Sequence, residues 1–423
     1  MLVLPRLKFR AAPRPASKLN DVNIALVGVG SQGQNLMVAC LKIPGIRFQA
    51  VCDIWPYNRD RVVKILNREY GQSAKGYEDF RRMLAKEKGL DAVIIATPDW
   101  VHSEQAVACL EARKHVYCEK EMSHTIEGAR RMVRAAARTG RLLQIGHQRR
   151  SNPRYLHGRK MIVEDRILGK LTHAYGQWNR AQLVEATWPA KYALSTEALK
   201  RHGYDTMERF RNWRWFRKFS GGPISDLGSH QIDIMEWFFR SRPSAVTAIA
   251  GRDYQNRGDW YDNIMAIYEF KTPDGPATAF YQVLNMTSHR AYYEAFMGND
   301  GSLEISEDPK VGFLFREATA GSLEWGDLAS RIMSMGSEAI ELKIGESRRT
   351  LGAKDPEALR LKAELLKPVH QAHLENFFDA VRGRGKLSCP ADLAFESAVT
   401  VLRTNEAVAA GRRLAYAPAD FKP

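Results

Sequence analysis

An α/β chain is what this sequence predicts: an N-terminal Rossmann doubly wound parallel sheet, then a C-terminal α+β domain on a large open, mainly antiparallel sheet. Three observations predict it. A glycine-anchored loop, Gly28-Val29-Gly30-Ser31-Gln32-Gly33, joins an apolar run to a helical stretch. Strand-like and helix-like segments alternate from residue 21 to about 148. Beyond Arg150, alternating apolar runs separated by turn residues take over.

The first run, Ile24-Ala25-Leu26-Val27, reads as a buried strand, and Gln34 to Leu41 as a helix. Between them the first glycine permits a tight turn, the second lets the backbone approach a pyrophosphate, and the third lets helix and strand touch. Helix N-terminal amides, with Ser31 and Gln32 in the loop, then face the phosphates. Phe48 to Cys52 is a second strand ending in Asp53, 20 residues beyond Gly33. A carboxylate there accepts hydrogen bonds from ribose hydroxyls and repels a 2′-phosphate, which favours NAD over NADP. Arg59 and Arg61 leave NADP as the alternative.

Arg59 to Tyr70 and Tyr77 to Lys86 follow as helices, Asp91 to Ala96 as a buried strand, and Ser103 to Ala112 as a helix. His115 to Cys118 and Leu142 to Ile145 are strands around a helix from Thr125 to Arg138, stopped by Gly140. Asn152-Pro153 opens a helix to about Ile167. Six strands are expected over Leu171–Trp178, Ala245–Arg252, Asn263–Phe270, Ala277–Val283, Tyr292–Met297 and Ser302–Ile305, with a turn at Thr272-Pro273-Asp274-Gly275. Glu357 to Arg382 and Leu393 to Ala410 read as closing helices. These readings divide the chain into a flexible arm (1–20), a dinucleotide-binding domain (21–148) and a substrate-binding and oligomerisation domain (149–423), with 306–356 as an insertion.

Two constellations carry chemistry. Glu119-Lys120-Glu121 follows the fifth strand, and ligands bind outside the carboxyl ends of such strands. Lys120 can hold a substrate hydroxyl or carbonyl and stabilise developing negative charge; the stretch also fits a surface lysine in a charged turn. Asp226 and His230 lie four residues apart at the start of a helical run. On one helix face the carboxylate would fix the imidazole tautomer and favour its charged form, which suits a general base. The same spacing fits an N-cap aspartate beside an unconnected histidine. Arg209, Arg211, Arg214, Arg217 and Lys218 crowd the approach to Gly221 among Trp213, Trp215 and Phe216. Arginine forks bind carboxylates and aromatic rings stack on sugars, so an acidic sugar or a glycoside is permitted there. Tyr204, His202, His289 and Tyr293 are further pocket candidates.

Composition narrows the rest. The chain has 423 residues, 44% hydrophobic and 26% charged, as soluble globular proteins have. No apolar run is long enough to span a membrane, and no apolar core of a signal peptide stands at the start. Five cysteines without a CxxC pair point to reduced thiols in the cytoplasm rather than disulfides or zinc. A net charge of +15 fits a nucleic-acid surface, an anionic ligand or a solvating basic surface. The basic residues form no long block and no nucleic-acid-binding motif.

The glycine loop with Asp53, Ala96-Thr97-Pro98-Asp99 through His102, Glu119-Lys120, Asp226 through His230, and the closing Asp379 to Gly383 with Cys389-Pro390 resemble, in that order, the Gfo/Idh/MocA family of oxidoreductases. The resemblance covers roughly residues 21 to 415. It implies oxidation by NAD(P) of a secondary hydroxyl on a sugar, polyol or glycoside, with Lys120, Asp226 and His230 as catalytic residues and either His230 or, crowded by NAD+ and other cations, Lys120 as the base. It also implies that Thr97, Pro98 and His102 line the cofactor, with Glu119, Lys120 and Gln148, and that Gln148 and Arg149 lie near the nicotinamide. Trp178, Arg214, His230 and His289 join Lys120 and Arg149 as expected substrate contacts. Glu121 departs from the family pattern, which has proline. No metal, nucleic acid or membrane partner is expected. A half-apolar sheet implies a homodimer or homotetramer, since such a face is rarely left in water. A redox-neutral glycosidase or lyase acting through a transient keto-sugar is the rival; a non-catalytic sugar sensor would not need the Lys120, Asp226 and His230 set.

Overall fold

The computed structural model describes residues 21–181, 185–254, 257–317, 320, 340–342, 358–361 and 367–423. The expected N-terminal arm and most of 306–356 therefore lie outside the described residues. The first sheet has six parallel strands: β1 (Val22–Val27), β2 (Ile46–Cys52), β3 (Lys75–Tyr77), β4 (Ala92–Ile95), β5 (His115–Cys118) and β6 (Leu143–Ile145). Their order is β3-β2-β1-β4-β5-β6. The order reverses between β1 and β4, so the loops leaving these two strands diverge and open a crevice at their carboxyl ends. Helices α1 (Ser31–Leu41), α2 (Pro56–Glu69), α3 (Phe80–Lys86), α4 (Asp99–Glu111) and α5 (Ile126–Thr139) make the crossovers. Local chemistry sets their ends. Pro56 starts α2, Asp79 accepts from the Arg81 amide to cap α3, and Thr125 caps α5, which Gly140 stops at φ +64°.

After α6 (Pro153–Arg159) comes β7 (Leu171–Asn179), then the short helices α7 (Thr196–Arg201) and α8 (Met207–Arg211), then α9 (Ser229–Phe239). Strands β8 (Pro243–Gly251), β9 (Asn263–Thr272), β10 (Gly275–Leu284), β11 (Tyr292–Gly298), β12 (Gly301–Ile305), β13 (Gly312–Arg316), β14 (Ile340–Leu342) and β15 (Ala358–Leu361) follow. The chain ends with α10 (Gln371–Val381), α11 (Ala391–Ala410) and β16 (Leu414–Ala415). The second sheet runs β14-β15-β13-β12-β11-β7-β10-β9-β8-β16. Its pairs are antiparallel except β7 with β10. Thr272 pairs with Gly275, which closes the expected Pro273-Asp274 turn. Alternation in β9 buries Ile264, Ala266, Tyr268 and Phe270 under α9 and α11 and leaves Met265 and Ile267 exposed beside Ile249.

Three sequence readings are corrected. Residues 77–86 are not one helix: Tyr77 ends β3, and Asp79 caps a helix that starts at Phe80. The helix from Pro153 gives way at Lys160 to a π turn over Lys160–Glu164. Residues 358–361 form β15 between β13 and β14, and helix resumes at Gln371. Sheet pairing there overrides a helix-favouring composition, as tertiary contacts do with weak local preference.

The two halves share cores. Leu374, Phe377 and Phe378 of α10 are fully buried among Val22, Ile24, Leu26 and Tyr117 of the parallel sheet. The Ile145 amide donates to the Cys389 carbonyl. A separate aromatic cluster joins Trp55 to Leu199, Tyr204, Met207, Trp213, Trp215, Phe216 and Phe219, with Trp100 packed against it. Trp55 Nε1 donates to the Tyr192 carbonyl (2.6 Å) and Trp100 Nε1 to the Tyr204 hydroxyl (3.0 Å). Residues 192–219 are thereby held across the mouth of the crevice. All five cysteines are buried free thiols. No described helix is long and apolar enough to cross a membrane.

Candidate functional site

The crevice opens into a cavity of about 1330 Å³, lined along one side by Gly28, Gly30, Ser31, Gln32, Asp53, Thr97 and Pro98. The glycines divide their work as their spacing predicts. Gly28 sits at φ +83°, and a Cβ on it would lie 2.7 Å from the Ala96 carbonyl and the Thr97 amide. A Cβ on Gly33 would overlap the Gly28 carbonyl oxygen, so this residue lets α1 lie on the turn and does not line the cavity. At Gly30 a Cβ would meet nothing within 4 Å. That empty space, together with the absence of a side-chain cap on α1, leaves first-turn amides facing the cavity. A dinucleotide pyrophosphate fits this cradle. Asp53, also in the cavity wall, accepts from the Val29 and Trp55 amides (2.8 Å each). Burial raises its pKa against those two hydrogen bonds.

Glu119, Lys120, Gln148, Trp178, Arg214, Asp226 and His230 also line the cavity. Glu119 accepts from Gln32 Nε2 (3.1 Å), and the same amide lies 3.2 Å from His370 Nε2. Lys120 Nζ donates to the Asp226 carbonyl and stands 3.6 Å from its Oδ1. Arg214 Nε donates to that oxygen at 2.9 Å, and Arg180 Nη2 lies 3.7 Å from Oδ2. Burial alone would raise the Asp226 pKa, but Arg214, then Lys120 and Arg180, outweigh it and keep the carboxyl well below the usual range.

Asp226 and His230 do not pair. Residues 224–228 form a π turn, and α9 starts after it at Ser229, so the four-residue spacing does not bring the two side chains together. The carboxylate points to Arg214 and Lys120 instead. His230 stacks on Trp178 (5.8 Å, 28°), and its buried Nδ1 has no hydrogen-bond partner. Burial, then Lys120, Arg149, His147 and His370, hold the His230 pKa well below its ordinary value. The resting ring is neutral, not the charged form expected from a neighbouring carboxylate.

Three further expectations are corrected. His102 is fully buried between the carbonyls of Thr97 (2.7 Å) and Glu121 (2.8 Å), and ties α4 to the loop after β5 outside the cavity. Arg149 is buried beneath the cavity, paired with Glu294 and Glu307. His289 does not line the cavity; its carbonyl accepts from Gln177 and Asn179. Of the basic run, Arg211 and Arg214 reach the cavity. Arg209 stacks on Phe216, Arg217 on Trp260 and Lys218 on Phe219. Tyr204 and His202 line it and Tyr293 does not.

The cavity also contains residues that sequence reasoning passed over: Asp99, Arg180 and His370. Asp99 stands in the quoted Thr97-Pro98-Asp99 stretch, where its type alone was a signal. Arg180 follows Trp178 by two residues, on the same face as β7 ends. Burial pushes the Asp99 pKa up to about 7 against the pull of Arg214 and Lys120.

Glu121, the departure from the family proline, is buried with Oε1 on the Met122 amide and Oε2 unpartnered. Burial raises its pKa to about 8. An acid raised on folding is stabilising below its unfolded pKa and loses that contribution as pH rises toward 8. Glu121→Gln therefore gains stability relative to wild type as pH rises from the ordinary carboxyl range toward about 8, by on the order of 1 kcal/mol per pH unit. Thermal melts of both proteins across that range check it: parallel curves contradict the assignment.

The model of the oxidoreductase family with an NAD-binding Rossmann fold (GFO_IDH_MocA) matches residues 22–147, and that of the GFO/IDH/MocA C-terminal domain matches 159–304. Inositol 2-dehydrogenase/D-chiro-inositol 3-dehydrogenase of Shouchella clausii is 34% identical over 152 residues, 35% of this chain and 42% of that protein. The match thus spans less than half of that relative. The 2,7-anhydro-N-acetylneuraminate hydratase of Escherichia coli is 23% identical over 308 residues, 72% of this chain and 70% of the other. The WlbA dehydrogenase from Bordetella pertussis, solved with NADH and UDP-GlcNAcA, superimposes with TM-score 0.64 at 18% identity, covering 94% of this chain and 100% of that one.

Proposed function

The chain belongs to the Gfo/Idh/MocA oxidoreductase family, and from that premise we propose that it is an NAD-dependent dehydrogenase that oxidises a secondary ring hydroxyl of a sugar, polyol or glycoside. One observation carries the reading: Lys120 and His230, far apart in sequence, line the same cavity as the glycine cradle and Asp53. Gly28, Gly30, Ser31 and Asp53 would hold the dinucleotide, with Thr97, Pro98 and Gln148 toward its nicotinamide. When bound, the nicotinamide supplies the hydride acceptor.

The chain's own residues handle the proton and the oxygen. His230 is neutral at rest and accepts the hydroxyl proton. Lys120, anchored on the Asp226 carbonyl, donates a hydrogen bond to the same oxygen and stabilises the charge that develops there. Asp226 positions Lys120 and Arg214 and does not orient His230. Trp178 supports the imidazole plane and offers a face for a sugar ring. A second copy of the chain against the sheet face bearing Ile249, Met265 and Ile267 completes the proposed assembly.

A second reading, a redox-neutral hydratase or lyase working through a transient ketone, is favoured by the 308-residue match to a hydratase. One experiment separates the two. Sugars, polyols, uronates and glycosides are incubated with NAD+ or NADP+ while NADH absorbance and product release are followed together. Net NADH formation with NAD+ supports the dehydrogenase. Product without NADH supports the second reading, and neither signal across the panel overturns both.

A further inference from the structure

We propose that the cavity wall beside Asp226 is a carboxylate-binding subsite, and that the substrate is a sugar acid whose carboxylate is held by Arg180 and Arg214. The proposal rests on the reading above for which hydroxyl reacts, and it adds what the rest of the molecule must carry.

Lys120, Arg180 and Arg214 converge on one carboxylate, Asp226. Asp99 and Glu119 are the other acids that bear on Arg214, and burial raises the Asp99 pKa to about 7, so that it is only partly charged at neutral pH. Charges drawn away from water need partners, and Asp226 does not satisfy all three. It accepts a true hydrogen bond from the Arg214 side chain, whereas Arg180 Nη2 stays 3.7 Å away, beyond bonding distance.

Arg180 is the informative residue. Its Nε donates to Asn285 Oδ1 at 2.9 Å, which fixes the plane of the guanidinium. Its terminal nitrogens make no hydrogen bond to a described residue, and its side chain is 32% exposed, on the cavity wall. Burial weighs on this group more than Asp226 relieves it. A fixed planar fork with free N–H groups is the geometry that takes a carboxylate in two parallel bonds. Arg214 is set the same way, stacked on Trp213 at 4.2 Å with its Nε on Asp226. Neither arginine must reorganise to receive an anion.

Spacing limits the ligand. Lys120 and Arg180 both stand against the Asp226 carboxylate, at 3.6 and 3.7 Å. A molecule whose hydroxyl lies on Lys120 and His230 reaches Arg180 across little more than a sugar ring. A uronate or another single-ring sugar acid spans that gap.

The test measures binding and turnover separately. Glucuronate, galacturonate and N-acetylneuraminate, each against its methyl ester, are titrated calorimetrically into the NAD-loaded protein, and NADH is followed in parallel. The acids are expected to bind about 10- to 100-fold more tightly than the esters. Arg180→Met removes the gap, and Arg180→Lys, which keeps charge without the fork, restores part of it; thermal melts of each variant confirm folding. Equal binding of every acid and its ester, or a gap that survives in Arg180→Met, overturns the proposal whether or not oxidation occurs. Tight, Arg180-dependent binding without NADH leaves the subsite standing and removes the dehydrogenase reading.

Discussion

Replacing His230 by alanine lowers kcat/KM for hydroxyl oxidation by about 10²- to 10⁴-fold, the range of a lost general base, while NAD affinity stays within a few-fold of wild type. The reason is where the imidazole sits. It is neutral, stacked on Trp178, and in the same cavity as Lys120. The sign of the pH dependence follows from its depressed proton affinity. The base is already unprotonated through the neutral range, so the acid limb of kcat/KM falls well below pH 6.5, the ordinary histidine value. Lys120→Met, which removes a cation beside the ring, is expected to move that limb toward neutrality as well as slow turnover. Steady-state kinetics from pH 5 to 9 reads both effects. Unchanged turnover in His230→Ala refutes its role.

The second large effect is at Gly30. Because a Cβ there meets nothing, Gly30→Val still folds, with its melting temperature lowered only by the modest cost of a poorer N-cap on α1. Its isopropyl group then occupies the space the pyrophosphate needs, and NAD affinity falls about 100-fold or more, roughly 2.7 kcal/mol. Gly28→Val behaves differently. Its φ of +83° and the 2.7 Å approach to Ala96 mean that the loop itself is displaced, and stability falls with affinity. Melting curves and NAD titrations of the two variants distinguish a blocked cradle from a broken one. Equal affinity of Gly30→Val and wild type removes this loop as the cofactor site.

The parallel sheet was legible because each strand is a short apolar run with a nearby stop, and because Gly28, Gly30, Gly33 and Asp53 each meet a different steric or electrostatic demand. Lys120 was legible from the rule that ligands gather at strand ends. The Asp226–His230 pairing was not, because helical spacing assumes an α turn and residues 224–228 make a π turn. Arg149 misled for a related reason: a charged residue after the last strand suggests a ligand contact, yet its partners Glu294 and Glu307 lie about 150 residues on and carry no local sign of the pairing. Arg180 was missed because a single basic residue after a strand resembles any surface arginine until Asn285 and Asp226 are placed beside it. β15 was missed because its hydrogen bonds come from β13 and β14, which no window around residue 360 contains.

The helix Gln371–Val381 makes this gene a poor candidate for modular recombination. Leu374, Phe377 and Phe378 fill the parallel sheet's own interior, although they are encoded more than 220 residues beyond its last strand. A chimera joined after residue 148 to a foreign second half inherits a nucleotide fold with a hole in it, unless residues 371–390 travel along. Expressed alone, the segment 21–148 would present that hole to solvent as a greasy trough.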